Sequence, residues 1–436
     1  MALAVSACAT SSSNPSSGAP STIAPGSPWT GALSTVTLPA PVNSLTAVDC
    51  AGPRHCWAVG STVGTAGAPN GAAVITTADG GSRWTAQPIP ATVGYLSDIS
   101  CSNRHYCAAV GQATQTSNGQ GAIITTSDGG ATWTAAPVPT GILDVTAVAC
   151  QPNRRCLAIG TAATGSAALV SSPSRPGWVQ QGTLPPGLTG ATDISCPDSQ
   201  HCWVTIQQAI DVDHVAGQVA LTTDGGATWA TTAAPKAVGY LNGIACFRGA
   251  PGEQGLPFTS TTTTTTSAAT TTPQGTAATA PGSTTTAGST TTSGPSPTTT
   301  APPPPATTTT TAPAGLTGAW CVAVGTTAST VTGTRTGRGV VLTTVNGGAS
   351  WTSQPVRPTS AALMGISCTA VSACVGVGSA VALAPEAGLS ILTGPSGHPW
   401  RRAATVSAPQ ALTSVSCVST SACVLVGESI SEHLAG

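Results

Sequence analysis

Charge is what this sequence has least of. Only 6% of its 436 residues are Asp, Glu, Lys or Arg, and the net charge is −1, against about a quarter charged in ordinary globular proteins. Lys236 is the sole lysine. With no basic stripe to neutralise phosphates, nucleic acid is excluded as a partner. No apolar run reaches the ~18 residues of a membrane-spanning helix, so any hold on a membrane has to come from a lipid. Met (2), Phe (2) and Tyr (3) are scarce, whereas Gly (51) and Pro (36) abound. That balance suits short strands joined by many turns, with Thr, Ser, Asn and Gln wetting the surface.

Cysteine is the sharpest positive signal. Of the 15, fourteen fall into pairs: Cys50/Cys56, Cys101/Cys107, Cys150/Cys156, Cys196/Cys202, Cys246/Cys321, Cys368/Cys374 and Cys417/Cys423. All but the fifth pair have five intervening residues, and a disulfide closing so short a loop is worth about 2.4 kcal/mol on the chain-entropy model. Metal ligation is the alternative. It is disfavoured because the pairs recur singly instead of converging as four ligands, so neither metal nor cofactor is expected. The odd cysteine is Cys8, and Val5-Ser6-Ala7-Cys8 resembles a bacterial lipobox, which implies a lipid-modified N-terminus and export. Residues 1–7 are too short for a complete signal peptide, so the reading expects a truncated signal in 1–8 and a true start further upstream. Residues 9–28, rich in Ser, Pro and Gly, read as a flexible tether.

Beyond the tether the chain repeats about every fifty residues, the signature of propeller blades. Each unit opens with a run alternating apolar and small residues and ending in Cys (45–50, 96–101, 145–150, 241–246, 363–368, 412–417), which predicts a strand with one buried face. A second strand follows the second Cys, as in Trp57-Ala58-Val59-Gly60 or Val322-Ala323-Val324-Gly325. A variable Gly/Thr loop leads to a third strand, which ends in a turn, and a fourth exits through Pro. The cysteines therefore staple the hairpin between strands one and two.

The turn is written Asp79-Gly80-Gly81-Ser82-Arg83-Trp84. It recurs as Asp128-Gly129-Gly130 before Trp133, as Asp224-Gly225-Gly226 before Trp229, and as Asn346-Gly347-Gly348 before Trp351. Asp or Asn accepts following backbone N–H groups, and the glycines supply positive φ. Two copies, at 172–178 and 394–400, keep the Trp and lose the Asp. These residues resemble the Asp-box (BNR) repeat of sialidase-like propellers. They also look like the Ycf48/Hcf136 photosystem-assembly family and the sortilin-type propellers. The resemblance covers most of 29–430 and implies an all-β, seven-bladed β-propeller with one disulfide per blade, in which Asp79, Asp128, Asp224 and Asn346 are structural.

Seven cysteine pairs precede only six Trp-bearing segments, so the reading takes the N-terminal segment around Trp29 as the strand that closes the last blade, within a propeller spanning 29–436. Residues 249–316, dominated by Thr with Pro and Ser, interrupt the fifth cysteine hairpin. They cannot bury a core, and are expected to be disordered, with the composition of a glycosylated stalk.

No constellation declares a reaction. On the face of the strand 2–3 and 4–1 loops stand Asp211, Asp213 and His214, with Arg335, Arg338 and Glu386 in following blades. This is the tentative ligand face. Asp98 and Asp193, three residues before a Cys, are expected to line the central channel. His55, Arg104, His105, Arg154, Arg155 and His201 decorate the opposite, cysteine-loop face. The favoured function is a monomeric, non-catalytic, secreted or cell-envelope platform for a protein or glycan. One alternative is an Asp-box-type glycoside hydrolase. Sialidase itself is disfavoured, because no arginine triad is recognisable and only three Tyr exist. A second alternative is a passive display or stalk protein.

Overall fold

The computed structural model describes residues 3–7, 33–64, 71–114, 120–209, 215–235, 238–248, 319–327, 338–354, 356–357, 362–370, 373–379, 389–394, 400–406, 412–419 and 422–427. Two compact units partition the chain. One is Met1–Gly255 with Thr310–Gly436. The other, Leu256–Thr309, contains the heart of the Thr-rich insertion and lies outside the described residues.

The described strands form seven sheets. The first two in the chain, β1 (Leu3–Ala7) and β2 (Leu33–Thr37), share a sheet, sheet VII, with the last two, β28 (Leu412–Ser419) and β29 (Ala422–Gly427). Sheet I follows with β3 (Val42–Cys50), β4 (Cys56–Thr62), β5 (Gly71–Thr77) and β6 (Thr85–Gln87). Sheet II has β7 (Val93–Cys101), β8 (Cys107–Ala113), β9 (Gly121–Thr126) and β10 (Thr134–Ala136). Sheet III has β11 (Ile142–Cys150), β12 (Cys156–Ala162), β13 (Gly165–Ser172) and β14 (Arg175–Thr183). Sheet IV has β15 (Leu188–Ser195), β16 (Cys202–Ala209), β17 (Val215–Thr222) and β18 (Ala230–Ala233). Sheet V has β19 (Val238–Arg248), β20 (Ala319–Thr327), β21 (Gly339–Thr344) and β22 (Thr352–Gln354). In sheet VI a two-residue β23 (Val356–Arg357) pairs in parallel with the outer strand of β24 (Leu363–Ala370), β25 (Ala373–Ser379), β26 (Leu389–Gly394) and β27 (Trp400–Val406). Every other described pairing is antiparallel. The innermost strands β3, β7, β11, β15, β19, β24 and β28 contact one another in succession, and β28 meets β3. The ring is closed.

The second strands are buried almost end to end, as at Cys56–Gly60 in β4, because a sheet inside the ring is covered on both faces by its neighbours. The core is therefore a set of inter-sheet clusters. In one, Trp57 and Val59 of sheet I meet Leu96, Ala109 and Trp133 of sheet II. In another, Trp320 and Val324 of sheet V meet Leu363 and Trp400 of sheet VI.

Each cysteine pair forms a disulfide across the hairpin of strands one and two. The fifth has a sequence separation of 75 against 6 for the rest. Beyond it the ladder continues with Phe247 opposite Trp320 and Arg248 opposite Ala319 before the insertion begins.

The disulfides do more than the sequence reading assigns them. That reading makes each pair a staple at the base of a hairpin, and all seven disulfides are there. In the structure the second cysteine of every pair (Cys56, Cys107, Cys156, Cys202, Cys321, Cys374 and Cys423) is buried. Cys374 shows the added role most clearly. It is bonded to the half-buried Cys368, yet it belongs to the core cluster of Leu363, Ile366 and Trp400. The reason is position: the second cysteine sits on strand two, which neighbouring sheets cover on both faces. These sulfurs are therefore core atoms as well as cross-links.

The inner strands share an irregularity that explains a recurring glycine. A bulge skips Thr46, Ser97, Thr146 and Asn242 at the same point of β3, β7, β11 and β19. The kink drives a carbonyl toward the second strand, where Gly60, Gly111 and Gly325 stand. A Cβ there would lie 1.9 Å from Ser44 O, 2.0 Å from Tyr95 O and 1.9 Å from Tyr240 O respectively. Only glycine fits. Sheet IV carries Ile206 at this position and lets β15 leave the ladder between Thr189 and Asp193 instead.

Sheet VII takes its outer strand from Leu33–Thr37, four residues beyond Trp29, which lies outside the described residues. The register explains the shift from the sequence reading. Val42 N–H donates to Pro39 O just as Val93 donates to Pro90 O and Val238 to Pro235 O. Aligned on that turn, Leu33 occupies the place that Trp84 holds in sheet I. Between β2 and β29 lies β1, from the segment that the sequence reading assigns to a signal.

Candidate functional site

The inner strands surround a cavity of about 260 Å³ whose lining includes Thr46, Asp49, Asp98, Thr192, Asp193 and Thr413. Its walls are bonded from sheet to sheet. The bulged residues of β3, β7 and β19, and Thr192 in the gap of β15, donate to the next sheet's backbone: Thr46 to Leu96 O (2.9 Å), Ser97 to Val145 O (2.9 Å), Thr192 to Leu241 O (2.8 Å) and Asn242 to Leu363 O (2.7 Å). Thr413 donates to Leu45 O (2.9 Å) and so ties the last sheet to the first. In the other direction, side chains accept the next sheet's N–H groups. Asp49 accepts from Cys101 at 2.7 Å, Asp98 from Val148 and Asp193 from Ile244 at 2.8 Å. Ser100, Ser195, Ser367 and Ser416 accept from Cys150, Cys246, Cys417 and Cys50. The remaining oxygens of Asp49, Asp98 and Asp193 accept from their own following residues.

These carboxyls sit deep in the ring, and no cationic side chain is among the residues lining the cavity. Burial pushes Asp49 above the ordinary range, against the pull of the Cys101 and Cys50 N–H groups. Burial, then the Asp193 charge, pushes Asp98 well above it, and burial lifts Asp193 to about 7. An unfolded aspartate titrates near ~3.9. Between that value and about 7 the folded chain holds protons that the unfolded chain has released, so this contribution to stability falls as pH rises. Side chains facing an open channel remain partly solvated, which caps the effect at about 1–2 kcal/mol. Urea midpoints are expected to drop from pH 5 to pH 8, and Asp98→Asn with Asp193→Asn to remove most of the drop. An unchanged pH profile in that double variant would refute this assignment.

The Asp-Gly-Gly turns are self-contained. Asp128 accepts from the Thr132 hydroxyl (2.6 Å), the Thr132 N–H (3.0 Å) and the Thr126 hydroxyl (2.8 Å), which hold it at about 2. Asp224 makes the same bonds to its own turn, and Asp79 keeps those from the Thr77 hydroxyl and the Arg83 N–H. Slight burial works upward on both, and the bonds outweigh it, so both are lowered. Asn346 copies the pattern with Thr344 and Ser350. The turns also dock neighbours: Trp57 Nε1 donates to Gly129 O and Trp203 Nε1 to Gly347 O, both at 2.9 Å. Trp84, Trp133 and Trp351 are buried, and Trp229 bonds back to Gly226 O of its own turn.

On the cysteine-loop face the cations are engaged one by one. Arg155 donates to Ser199 O and Gly225 O of the next sheet. Arg154 lies 5.7 Å over the Tyr106 ring. Asp198 pairs with His201 (2.9 Å) and with Arg248 (2.7 Å), at the root of the insertion.

The opposite face carries the 2–3 and 4–1 loops. Of the tentative ligand residues, Arg338 is exposed at the foot of β21, its N–H bonded to the Thr327 hydroxyl. Asp211, Asp213, His214 and Arg335 lie outside the described residues, as do Glu386 and Cys8. In sheet III the 2–3 connection is only Ala163-Thr164, and beside it opens a recess of about 520 Å³, bounded by Ile142, Ala162, Gln180, Leu184 and Pro186. Leu143 (44%) and Tyr95 (42%) are exposed near the starts of inner strands β11 and β7. Asp144, next to Leu143, is raised by burial against the Val145 N–H and the Gln112 side chain, and its Oδ1 is buried with no hydrogen-bond partner. Sequence reasoning missed Asp49 and Asp144. Asp49 could have been found by position, since Ser100, Ser195, Ser367 and Ser416 stand at the same place before a Cys.

Four-stranded antiparallel sheets, repeated in a closed ring around a channel, define a β-propeller. No family model and no curated protein sequence matches the chain. Among solved structures it is similar to Ycf48 bound to a D1 peptide, at 10% identity and TM-score 0.48, over 91% of this chain and 96% of that one. It is also similar to a family GH74 xyloglucanase from Xanthomonas campestris, at 12% identity and TM-score 0.47, over 83% of this chain and 46% of that one. A Hadza microbial sialidase follows at 9% identity and TM-score 0.43, over 77% of this chain and 62% of that one. The propeller class rests on the sheet topology itself.

Proposed function

We propose that the chain is a seven-bladed propeller of the Asp-box type, exported to an oxidising compartment, and a non-catalytic binding platform for an uncharged protein or glycan surface. The observation that supports this is how the described carboxylates are used. Asp49, Asp98 and Asp193 hold neighbouring blades, Asp79, Asp128 and Asp224 hold their own turns, Asp198 holds the root of the insertion, and Asp144 bonds Val145 and Gln112. A glycoside hydrolase of the two-carboxylate kind needs a pair ~5–9.5 Å apart across a cleft. Seven of these eight are taken up in such bonds, and Asp144, whose Oδ1 is buried without a partner, is one carboxylate where the reaction needs two. Seven disulfides fit an oxidising compartment, and lipid attachment at Cys8 is part of the proposal.

Probing neutral-glycan and peptide arrays with the intact chain tests the reading. Retention of an uncharged ligand, weakened about tenfold by Tyr95→Ala with Leu143→Asp, is the expected result. Turnover of a glycoside substrate that Asp144→Asn or Asp211→Asn abolishes would overturn it. Mass spectrometry of the cell-derived protein tests the anchor separately, by a diacylglyceryl Cys8.

A further inference from the structure

Sheet VII is built differently from the others. In sheets I to V, neighbouring strands are neighbours in the chain and each joins the next by a single connection. In sheet VII the order is β28, β29, β1, β2. The third strand, β1, is separated from β2 by residues 8–32, and its inner neighbour β29 is the last described strand of the chain. Backbone pairing on both of its edges places it. Ala4 to Ala7 pair with Val426 to Cys423 of β29, and Leu3 to Ala7 pair with Thr37 to Leu33 of β2, antiparallel on both edges. On the inner edge the partners Cys423, Val424, Leu425 and Val426 are all buried.

We infer that the gap between β29 and β2 is a strand-acceptor site, and that Leu3–Ala7 is its exchangeable occupant, supplied by the same chain. The chemistry of the site follows from its surroundings. A strand with ladders on both edges must be extended and must offer an N–H at each paired position, which excludes proline. A buried apolar inner edge disfavours charge, and the occupant Leu3-Ala4-Val5-Ser6-Ala7 is uncharged. An empty site would leave β29 and β2 with unpaired edges, and such edges recruit other extended segments by β-augmentation. The occupant ends one residue before Cys8, so a cut between Ala7 and Cys8 would leave it held by its ladders alone. The inference does not depend on the binding reading above, because it concerns closure of the ring and not the loop face, and it applies to the chain that keeps residues 1–7, before any processing at Cys8.

Hydrogen–deuterium exchange on the unmodified chain gives the first test. Amides of residues 4–7 are expected to be protected about 100-fold or more over free-peptide rates, together with those of β29. Exchange at free-peptide rates would overturn the inference. The second test uses the full-length Val5→Pro chain, which loses a ladder donor, and a fluorescent synthetic peptide with the sequence of residues 1–7. The peptide is expected to bind Val5→Pro with at least tenfold preference over the unmodified chain, and its own proline variant not to bind. Equal binding to both chains, or binding of the proline peptide, would refute an acceptor site. A strand-swapped dimer of the unmodified chain on size exclusion would refute occupancy by the same chain.

Discussion

Replacing Cys246 and Cys321 by serine should cost nearly twice as much stability as replacing Cys101 and Cys107. The disulfides are equivalent in place, each opposite its partner across the first hairpin of a sheet. They differ in what they close, with a sequence separation of 75 against 6. The chain-entropy relation gives about 4.5 kcal/mol for the long loop and about 2.4 kcal/mol for the short one. In the unfolded chain, opening the long loop releases the whole Thr-rich segment and both hairpin arms from each other. In the folded chain, the Phe247–Trp320 contact at 5.8 Å and the Arg248–Asp198 pair hold the arms in place, so the loss falls on the unfolded side of the balance. Denaturant midpoints of the two double variants measure the difference. Equal shifts would show that loop length is not what sets the value of these bonds.

Gly111→Ala should destabilise the chain by about 3 kcal/mol or more. The added methyl would stand 2.0 Å from Tyr95 O and 2.8 Å from Leu96 Cα. Both are backbone atoms, so no rotamer change relieves the clash, and the bulge of β7 has to unwind. Ser97 would then lose its position for bonding Val145 O, and the damage would pass into sheet III. Gly376→Ala is the control. It too lies in a second strand, but its methyl would meet nothing closer than the Trp400 ring at 3.6 Å. A change within about 0.5 kcal/mol is expected there. Comparable losses at the two positions would refute the bulge as the reason for the recurring glycine.

The parts of this fold that the sequence made legible are those where cause and effect sit close together in the chain. Five residues between two cysteines dictate a hairpin, and Asp-Gly-Gly before Trp dictates a turn whose partners are all within four residues, as at Asp128 and Thr132. The parts that stayed hidden depend on a partner about fifty residues away. Gly60 looks like an ordinary strand glycine until the carbonyl of Ser44 is placed against it. Asp49 looks like a solvated residue beside a cysteine until the N–H of Cys101 arrives from the next sheet. Cys374 looks like half of a hairpin staple until Trp400 joins it in one core cluster. At the ring closure, Leu33 stands where the repeat elsewhere has Trp, so the eye settles on Trp29 and slips four residues. The loop face offered least, because its residues vary from one unit to the next and no repetition marks which of them matter.

The position of the fifth disulfide has a consequence for what happens when the chain is cut. A protease acting anywhere between Arg248 and Ala319 would sever the backbone, yet Cys246 and Cys321 would still join the two fragments. The nicked protein would run as one species until reduced and as two afterwards. The β19–β20 ladder, including its pairs beyond the disulfide, would be intact in both arms. The Thr-rich segment is thus placed where its loss cannot dismember the ring.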